Sequence, residues 1–347
     1  MTGFVARGAG RSETGRVREV NEDRLVLLDD AGRGAALYSV ADGLGGHVGG
    51  SIASELAVST LATEVPALLA QGSPPREALA AALRRANAII RARAATLDLA
   101  GMATTCTALL VAGGEGIVAH VGDTRAYLLR GREMHQLTTD HSLVSELVRQ
   151  GGLAPSRADA HAQRHVLTRA LGSDSAEIDL VTEPLRAGDV LVLTSDGLHT
   201  AVSAEEIGAL VQATPDADEA CRALLGLANA RGGFDNASVV VVRLTPRWVM
   251  RAFRLLAPAV LAALLLGGWG AYRLENTYFL GVRGDRVAVM QGVPARVLGV
   301  PLFSVVRVTP ISVDQVAPAY RSRLDRGLRA RSATEAESML HDLVSRP

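Results

Sequence analysis

Residues 35–50 read AALYSVADGLGGHVGG: an apolar, strand-like run ends at Asp42, and a glycine-rich loop follows it. Three more aspartates, Asp123, Asp196 and Asp235, stand at the ends of similar runs that are far apart in the chain. A carboxylate at the end of a buried strand costs desolvation energy unless a cation or hydrogen bonds offset it. We therefore expect these four carboxylates to converge on one sheet edge around divalent metal ions.

The composition limits the possible classes of protein. The chain has 347 residues, with 36 lysine or arginine and 36 aspartate or glutamate residues, so its formal net charge is zero. This length allows two domains, and the charge balance argues against nucleic acid as a partner. Cys106 and Cys221 lie far apart, which gives neither a disulfide framework nor a zinc-ligand spacing.

Residues 1–245 are predicted to form one cytoplasmic domain. Short strand-like runs joined as hairpins, with helical patterns in separate blocks, predict an α+β fold with antiparallel sheets. Residues 1–16 contain no signal-peptide stretch and are interpreted as a short lead-in to this domain. The predicted strands are 24–28, 36–40, 105–111, 116–121, 125–130, 190–194 and 238–244, and the predicted helices are 50–69, 75–95, 143–150, 204–211 and 216–230.

A single membrane span is predicted over residues 255–274. The run LLAPAVLAALLLGGWGAY, residues 255–272, carries no charge and is apolar on all sides, and at about 1.5 Å per residue it approaches the thickness of a bilayer core. The basic segment 246–254 before it follows the positive-inside pattern. This orientation puts the C-terminus outside the cell, whereas a buried helix of a soluble domain is the alternative.

Residues 275–347 are predicted to form a small extracytoplasmic domain. Residues 278–292 alternate like a hairpin around Gly284 and Asp285, and residues 324–343 predict one or two short helices.

The residue types of the site predict phosphate chemistry. Carboxylate and carbonyl oxygens favour Mg²⁺ or Mn²⁺ over Zn²⁺, and paired ions of this kind clamp phosphoryl oxygens and lower the pKa of a bound water. No protein nucleophile is then needed, and the expected substrate is a phosphate monoester. Arg18 is a candidate phosphate clamp because a guanidinium matches a phosphate bidentately, and the nearby Glu22 would hold metal-bound waters.

These motifs, in this order, resemble the bacterial branch of the protein phosphatase 2C family, which comprises metal-dependent serine/threonine phosphatases. The resemblance covers about residues 5–244, and the span and tail resemble the membrane-anchored actinobacterial type of the family. The segments that carry it are REVNED (18–23), ADGLGGH (41–47), ATT (103–105), VGDTR (121–125), LTTDHS (137–142), TRALG (168–172), SDGL (195–198) and GFDN (233–236).

The resemblance implies a fold and a set of metal ligands. The fold is an αββα sandwich of two packed antiparallel sheets flanked by helix pairs. Asp42 would bridge two Mn²⁺ or Mg²⁺ ions, with the Gly43 carbonyl on the second ion. Asp196 and Asp235 would complete the first ion, and Asp123 would hold a third, weaker ion together with Asp196.

The resemblance also assigns the remaining roles. Glu22 would act through water, and Arg18 would bind the substrate phosphate. His47 is the candidate general acid, although in eukaryotic relatives the histidine directly follows Asp-Gly and here three residues intervene; a metal-bound water is the alternative donor. Residues 142–175 would form a mobile flap beside the site, with a solvated helix–loop–helix as the alternative, and His141 would orient the loop that opens the flap.

The sequence therefore predicts an enzyme that hydrolyses phosphoserine and phosphothreonine on proteins by in-line attack of a metal-activated water. Its expected partners are phosphorylated proteins, above all transmembrane Ser/Thr kinases that it would oppose in bacterial signalling. Two alternatives stay open: a catalytically silent member that binds phosphoproteins or senses signals, and a hydrolase of small phosphate esters.

Overall fold

The computed structural model describes residues 3–45, 47–154, 157–158, 161–174 and 176–344, without the side chains of residues 47, 249–255, 257 and 259. Parts of the predicted flap, at residues 155–156, 159–160 and 175, thus lie outside the described residues. The chain divides into two compact units, Met1–Met250 (unit one) and Arg251–Pro347 (unit two).

Unit one contains two five-stranded antiparallel sheets in the described part of the chain. The first has the order β1-β12-β11-β8-β9, and the second has the order β10-β7-β6-β3-β2; β4 and β5 pair as a separate short ribbon. The strands are β1 (Phe4–Glu13), β2 (Arg24–Leu28), β3 (Ala36–Ala41), β4 (Gly43–Leu44), β5 (Ala103–Thr104), β6 (Cys106–Ala112), β7 (Glu115–Val121), β8 (Arg125–Arg130), β9 (Glu133–Gln136), β10 (Asp179–Pro184), β11 (Val190–Thr194) and β12 (Ala237–Pro246).

The two sheets pack face to face, and helices cover both outer faces. A buried core between the sheets joins Tyr38 and Leu109 of the second sheet to Leu193 and Val240 of the first. The helices are α1 (His47–Ala70) and α2 (Pro75–Leu97) on the second sheet, α4 (Asp196–His199), α5 (Ala204–Ala213) and α6 (Ala217–Ala230) on the first, and α3 (Leu143–Arg149) in the predicted flap segment. Unit one is therefore an αββα sandwich.

The interpretation of the N-terminus as a lead-in is wrong. Strand β1 occupies residues 4–13 and pairs with β12 along its full length. Its sequence, FVARGAGRSE, hides the strand because glycines weaken the apolar alternation. Gly8 is needed there, since a Cβ atom would lie 2.3 Å from the ring of Tyr38. The sequence prediction also missed the edge strands β9 and β10, which are short and largely polar.

One helix among the described residues, Val48–Ala70 within α1, has the length and apolar composition needed to cross a membrane. Its side chains Ala53, Ala57, Leu61 and Val65 are fully buried and pack in the core under the second sheet. A helix that is buried in the core of a soluble domain can have the same length and apolar composition as a membrane span. We therefore assign this helix to the core of unit one.

Helix α7 (Arg247–Asn276) follows β12 directly and contains the residues of the predicted span. Most of its described apolar side chains are exposed, among them Leu264, Leu266 and Trp269 at 63–68%. Such exposure is the reverse of what α1 shows.

Unit two continues from α7 into a small sheet with its own core. The elements are β13 (Tyr278–Arg283), β14 (Arg286–Val297), β15 (Val300–Ser312), α8 (Pro318–Leu324), β16 (Leu328–Ala330) and α9 (Ala333–Val344). The sheet order is β15-β14-β13-β16. Leu280, Val289 and Leu340 are among the buried residues where the helices cover the sheet. The predicted hairpin around Gly284 and Asp285 is present as β13 and β14.

Candidate active site

One cavity in unit one brings the predicted site residues together. It has a volume of about 400 Å³ and opens at the ends of strands from both sheets. Its lining includes Arg18, Glu22, Asp42, Gly43, Asp123, Asp196 and Asp235. Residues that are up to 217 positions apart in sequence thus share one pocket, as Arg18 and Asp235 do.

Asp42 stands between β3 and β4, where the chain leaves the second sheet. Its backbone N–H donates to Thr105 Oγ1 at 3.1 Å, and its carbonyl accepts from the backbone N–H of Thr105 at 2.8 Å and from Thr104 Oγ1 at 2.7 Å. Gly43 follows, and a Cβ atom there would lie 2.3 Å from the carbonyl oxygen of Gly50. The glycines of this loop therefore allow two backbone segments to come into contact beside Asp42.

Asp123 follows β7 through a turn that requires glycine. Gly122 has φ +108°, and a Cβ atom there would lie 2.5 Å from Cβ of Thr105. The N–H of Gly122 donates to His141 Nδ1 at 3.1 Å, and the N–H of His141 donates to the carbonyl of Gly122 at 2.7 Å. The turn is therefore fixed from both sides, which sets the position of Asp123.

Asp196 and Asp235 come from neighbouring loops of the first sheet. Asp196 is the first residue of α4, two residues after the end of β11, and Asp235 lies two residues before β12. A Cβ atom on Gly197 would lie 2.1 Å from the carbonyl oxygen of Asn236, so the two loops are in backbone contact. The Asn236 side chain donates to the carbonyl of Val20 at 3.0 Å, which draws in the segment that carries Arg18.

The carboxyl groups of the pocket raise each other's pKa values. Burial, followed by the charges of Asp23, Asp196 and Asp123, raises the pKa of Asp42 well above its ordinary value. Burial and the charge of Asp196 raise the pKa of Asp123 to about 8. Burial and the charge of Asp235 raise the pKa of Asp196. Such mutual repulsion is what a bound cation relieves.

Asp23 is a member of this acidic group that the sequence prediction left without a role. Ser195 Oγ donates to Asp23 Oδ2 at 2.7 Å, directly beside Asp196. Burial raises the pKa of Asp23 to about 7, with further contributions from Asp196 and Asp235. The signal in the sequence was its place in the NED motif, next to Glu22. It is buried and does not line the cavity.

Arg18 stands at the mouth of the pocket. Its guanidinium donates to Asp235 Oδ2 at 2.8 Å, and 46% of the side chain is exposed. The pair joins a solvent-facing cation to the acidic wall of the cavity. An incoming anion can therefore reach the guanidinium from solvent.

The carboxylate and carbonyl oxygens of the pocket fit a hard divalent cation. Among the described residues, Glu22 Oε1 and Asp23 Oδ1 are buried and find no hydrogen-bond partner, and a buried carboxylate oxygen without a donor is costly. In the described part of the chain, no three His, Cys, Asp or Glu side chains form a ready ligand group around one point. Ions at this site would therefore complete their shells with the Gly43 carbonyl and water, which Mg²⁺ and Mn²⁺ readily retain.

His47 is the first residue of α1, and its side chain lies outside the described residues. The general-acid role of His47 therefore stays a prediction.

The segment above the pocket contributes residues that the sequence analysis did not single out. His165 and Leu167 line the pocket from this side. Two further cavities, of about 510 and 460 Å³, adjoin the pocket and share Asp196 and His165 with it. A lone histidine in a predicted loop gave no signal in the sequence.

His141 links this segment to the site. Because its Nδ1 accepts from Gly122, its Nε2 carries the proton and donates to Asp179 Oδ2 at 3.1 Å. Arg169 donates to the other oxygen of Asp179 at 2.9 Å. The role of His141 in orienting the loop that opens the flap stays a prediction, and these contacts show what would hold its ring in place.

Comparisons with known proteins identify the family. The family model for protein phosphatase 2C matches residues 9–227. The serine/threonine protein phosphatase PstP of Mycobacterium tuberculosis is 41% identical over 242 residues, which are 69% of this chain and 45% of PstP. This chain thus matches less than half the length of PstP. Protein phosphatase PhpP of Streptococcus pneumoniae is 38% identical over 234 residues, which are 67% of this chain and 94% of PhpP.

Solved structures show the same fold. The crystal structure of the M. tuberculosis phosphatase PstP/Ppp matches with a TM-score of 0.63 and 40% identity over 70% of this chain and 99% of that chain. The catalytic domain of PstP, solved in complex with two manganese ions, matches with a TM-score of 0.61 and 39% identity over 70% of this chain and 99% of that chain.

Proposed function

The chain belongs to the protein phosphatase 2C family, and from this premise we propose that it is a metal-dependent phosphatase of phosphoserine and phosphothreonine on proteins. The observation that carries the proposal is the shared pocket of Asp42, Asp123, Asp196 and Asp235 with Arg18 at its mouth. The manganese ions of the related PstP domain support Mn²⁺ or Mg²⁺ as the cofactor.

The residues of the pocket would have separate roles in phosphate hydrolysis. Mn²⁺ or Mg²⁺, when bound, would neutralise phosphoryl oxygens and lower the pKa of an attacking water. Asp42, Asp196, Asp235 and the Gly43 carbonyl would hold two ions, with Asp123 on a third. The buried Glu22 would orient water in the shell of these ions.

Arg18 would bind the phosphoryl group of the substrate. Its fork of N–H donors matches two phosphoryl oxygens, and its exposed position lets it exchange the carboxylate of Asp235 for the substrate. Asp235 would then be free to serve as a ligand.

A protein is a better substrate for this site than a small phosphate ester. The two adjoining cavities extend from the pocket along α4 and the segment of His165, with about 510 and 460 Å³ of space. Small esters would leave this surface without contacts, whereas residues on both sides of a phosphoserine would use it. Transmembrane Ser/Thr kinases are the substrates we propose first.

Helix α7 would anchor the enzyme in the cell membrane. Trp248 and Trp269 are exposed at 71% and 63%, and 21 residues of helix separate them by about 32 Å, close to the thickness of the hydrocarbon core. Trp side chains favour the two membrane interfaces. Arg273 stacks on Trp269, with its guanidinium carbon 5.6 Å from the ring centre. The basic flank 246–254 would keep the phosphatase domain, residues 1–245, in the cytoplasm, with residues 275–347 outside.

The activity is tested on the full chain in proteoliposomes. A phosphorylated kinase domain, a phosphopeptide and a small aryl phosphate are offered with Mn²⁺, and phosphate release is measured. We expect turnover of the phosphoprotein, its loss in EDTA and its loss in Asp42→Asn. The matched control is Asp218→Asn, at an exposed aspartate that pairs with Arg11 and does not line the pocket.

Three results would contradict the proposal. Activity that survives EDTA would exclude the metal mechanism. Turnover of the aryl phosphate alone would favour a small-ester hydrolase. Tight binding of phosphoprotein without turnover would favour the silent alternative.

A further inference from the structure

The two tight turns of the unit-two sheet have opposite chemistry. Gly284 and Asp285 form the turn between β13 and β14, and Leu298 and Gly299 form the turn between β14 and β15. Gly284 has φ +65°, where glycine is at no disadvantage, and the turn is polar and exposed. The second turn has φ +50° at Leu298 and +84° at Gly299, so both central residues are left-handed.

Leu298 is the wrong residue for its turn. A two-residue hairpin turn with both φ values positive favours Asn-Gly or Asp-Gly, because Asn and Asp tolerate this conformation. The chain uses leucine there, and the side chain is 100% exposed. Neither backbone conformation nor core packing explains that choice. A strained, fully exposed apolar residue therefore indicates a contact outside the unit.

The neighbours of Leu298 extend this apolar tip. Val297 and Val300 are 54% and 63% exposed, and the exposed Arg296 precedes them. An apolar tip flanked by arginine has the composition of a segment that enters a lipid interface, with the cation at anionic headgroups.

The register of the sheet places this tip at the end where α7 joins. The N–H of Gly292 on β14 donates to the carbonyl of Thr277, the residue after α7, at 2.8 Å. The Gln291 side chain donates to the carbonyl of Glu275 in α7 at 2.6 Å. From Gly292 the hairpin continues six residues to Leu298, a reach of up to about 20 Å. The polar Gly284 turn closes the opposite end of β14.

We propose that the tip Val297–Leu298–Gly299–Val300 inserts into the outer face of the lipid bilayer and holds unit two against the membrane. The inference rests on the proposed span of α7, because that span would put the α7 end of the sheet at the membrane surface. Insertion supplies the apolar surroundings that Leu298 lacks. The polar turn at the other end of the sheet then faces solvent.

The test uses the full chain in vesicles of phosphatidylethanolamine and phosphatidylglycerol. Single cysteines, Leu298→Cys at the tip and Asp285→Cys at the polar turn as the matched control, carry an environment-sensitive fluorophore. The native Cys106 and Cys221 are buried, so labelling of the folded protein reports the new positions. We expect a blue-shifted emission at position 298 and at least a threefold stronger quenching there by nitroxide-bearing lipids than at position 285.

A second variant separates insertion from folding. Leu298→Asn suits the turn better, so the thermal midpoint should stay the same or rise. A label on Val300→Cys in the Leu298→Asn background should nevertheless lose its lipid quenching, whereas the same label in the Leu298 background should keep it. Equal quenching in both backgrounds would overturn the role of Leu298.

The remaining outcomes distinguish this inference from the proposed span. If the chain floats with the vesicles while positions 298 and 285 are equally solvent-like, the span stands and the insertion is overturned. If the emission at 298 is blue-shifted without lipid quenching, the tip contacts protein and the insertion is also overturned. If the chain does not float, the span itself fails, and the insertion falls with it.

Discussion

The floor of the candidate active site and the flap segment above it are held in different ways. The floor aspartates Asp42, Asp123 and Asp196 directly follow strands or the turns that end them, so the core between the sheets fixes their positions. The described part of the predicted flap segment, residues 142–175, is held at its base by two isolated bridges and by polar contacts. We therefore expect the floor to set the chemistry and the flap segment to adjust its efficiency.

The largest expected effect is at the floor. Asp196→Asn should lower kcat by at least about 10³-fold, the scale lost with a catalytic charge or proton-transfer group. The thermal midpoint in chelator should stay the same or rise, because a buried carboxylate repelled by Asp235 is removed. Phosphate release and thermal unfolding measure the two effects, with Asp218→Asn as the surface control. If Asp196→Asn keeps more than a tenth of the original kcat, Asp196 does not have the catalytic role assigned to it here.

The acidity of the floor predicts a pH dependence of stability in chelator. The pKa values of Asp23 and Asp123 rise from 3.8 to about 7 and about 8. A raised folded-state pKa means that the folded protein binds these protons more tightly, so their stabilisation is lost as pH rises through 7 to 8. The buried His120 and His199, whose pKa values are lowered by burial, act in the opposite direction below 6.5.

The test window therefore lies above pH 7. We expect the free energy of unfolding in EDTA to fall between pH 7 and pH 8.5, and Mn²⁺ to reverse the trend, since deprotonated ligands bind the ion. Denaturant unfolding at a series of pH values measures this. If the free energy of unfolding does not change with pH, and Asp123→Asn gives the same result, the carboxyl groups do not shift one another's pKa values.

The link between core and floor is tested at Gly122. Gly122→Ala should cost about 2 kcal/mol or more, because it combines φ +108° with a contact of 2.5 Å to Thr105. Gly131→Ala is the matched control: its φ is +64° and nothing lies within 4 Å of an added Cβ atom, so the cost should be about 1 kcal/mol. Equal costs in urea unfolding would show that the turn before Asp123 is not tightly packed.

The smallest expected effect is at the flap. Asp179→Asn weakens the contacts of His141 and Arg169 and should lower kcat/KM about 5-fold, the rate equivalent of about 1 kcal/mol. Global stability should change little, since Asp179 is 46% exposed. Glu177→Gln is the control, because Glu177 is 83% exposed and 3.6 Å from Arg169. If Asp179→Asn lowers kcat/KM as much as Asp196→Asn does, the floor and the flap segment do not differ in their importance for catalysis.

The sequence predicted the floor better than the flap for a physical reason. Asp42, Asp123 and Asp196 each follow an apolar run, so burial and charge appear together in the sequence. Asp23 and His165 carry no such signal, because their positions depend on how distant loops pack. Strand β1 was missed because Gly8 makes room for Tyr38, a contact that only the packed sheets reveal.

Manganese binding tests the central claim most directly. The full chain is titrated with Mn²⁺, and the free ion is followed by electron paramagnetic resonance, which needs no turnover. We predict at least two bound ions per chain, with the loss of at least one in Asp42→Asn and no loss in Asp218→Asn. Unchanged binding in Asp42→Asn would contradict the account, because the cations would then lie elsewhere in the protein.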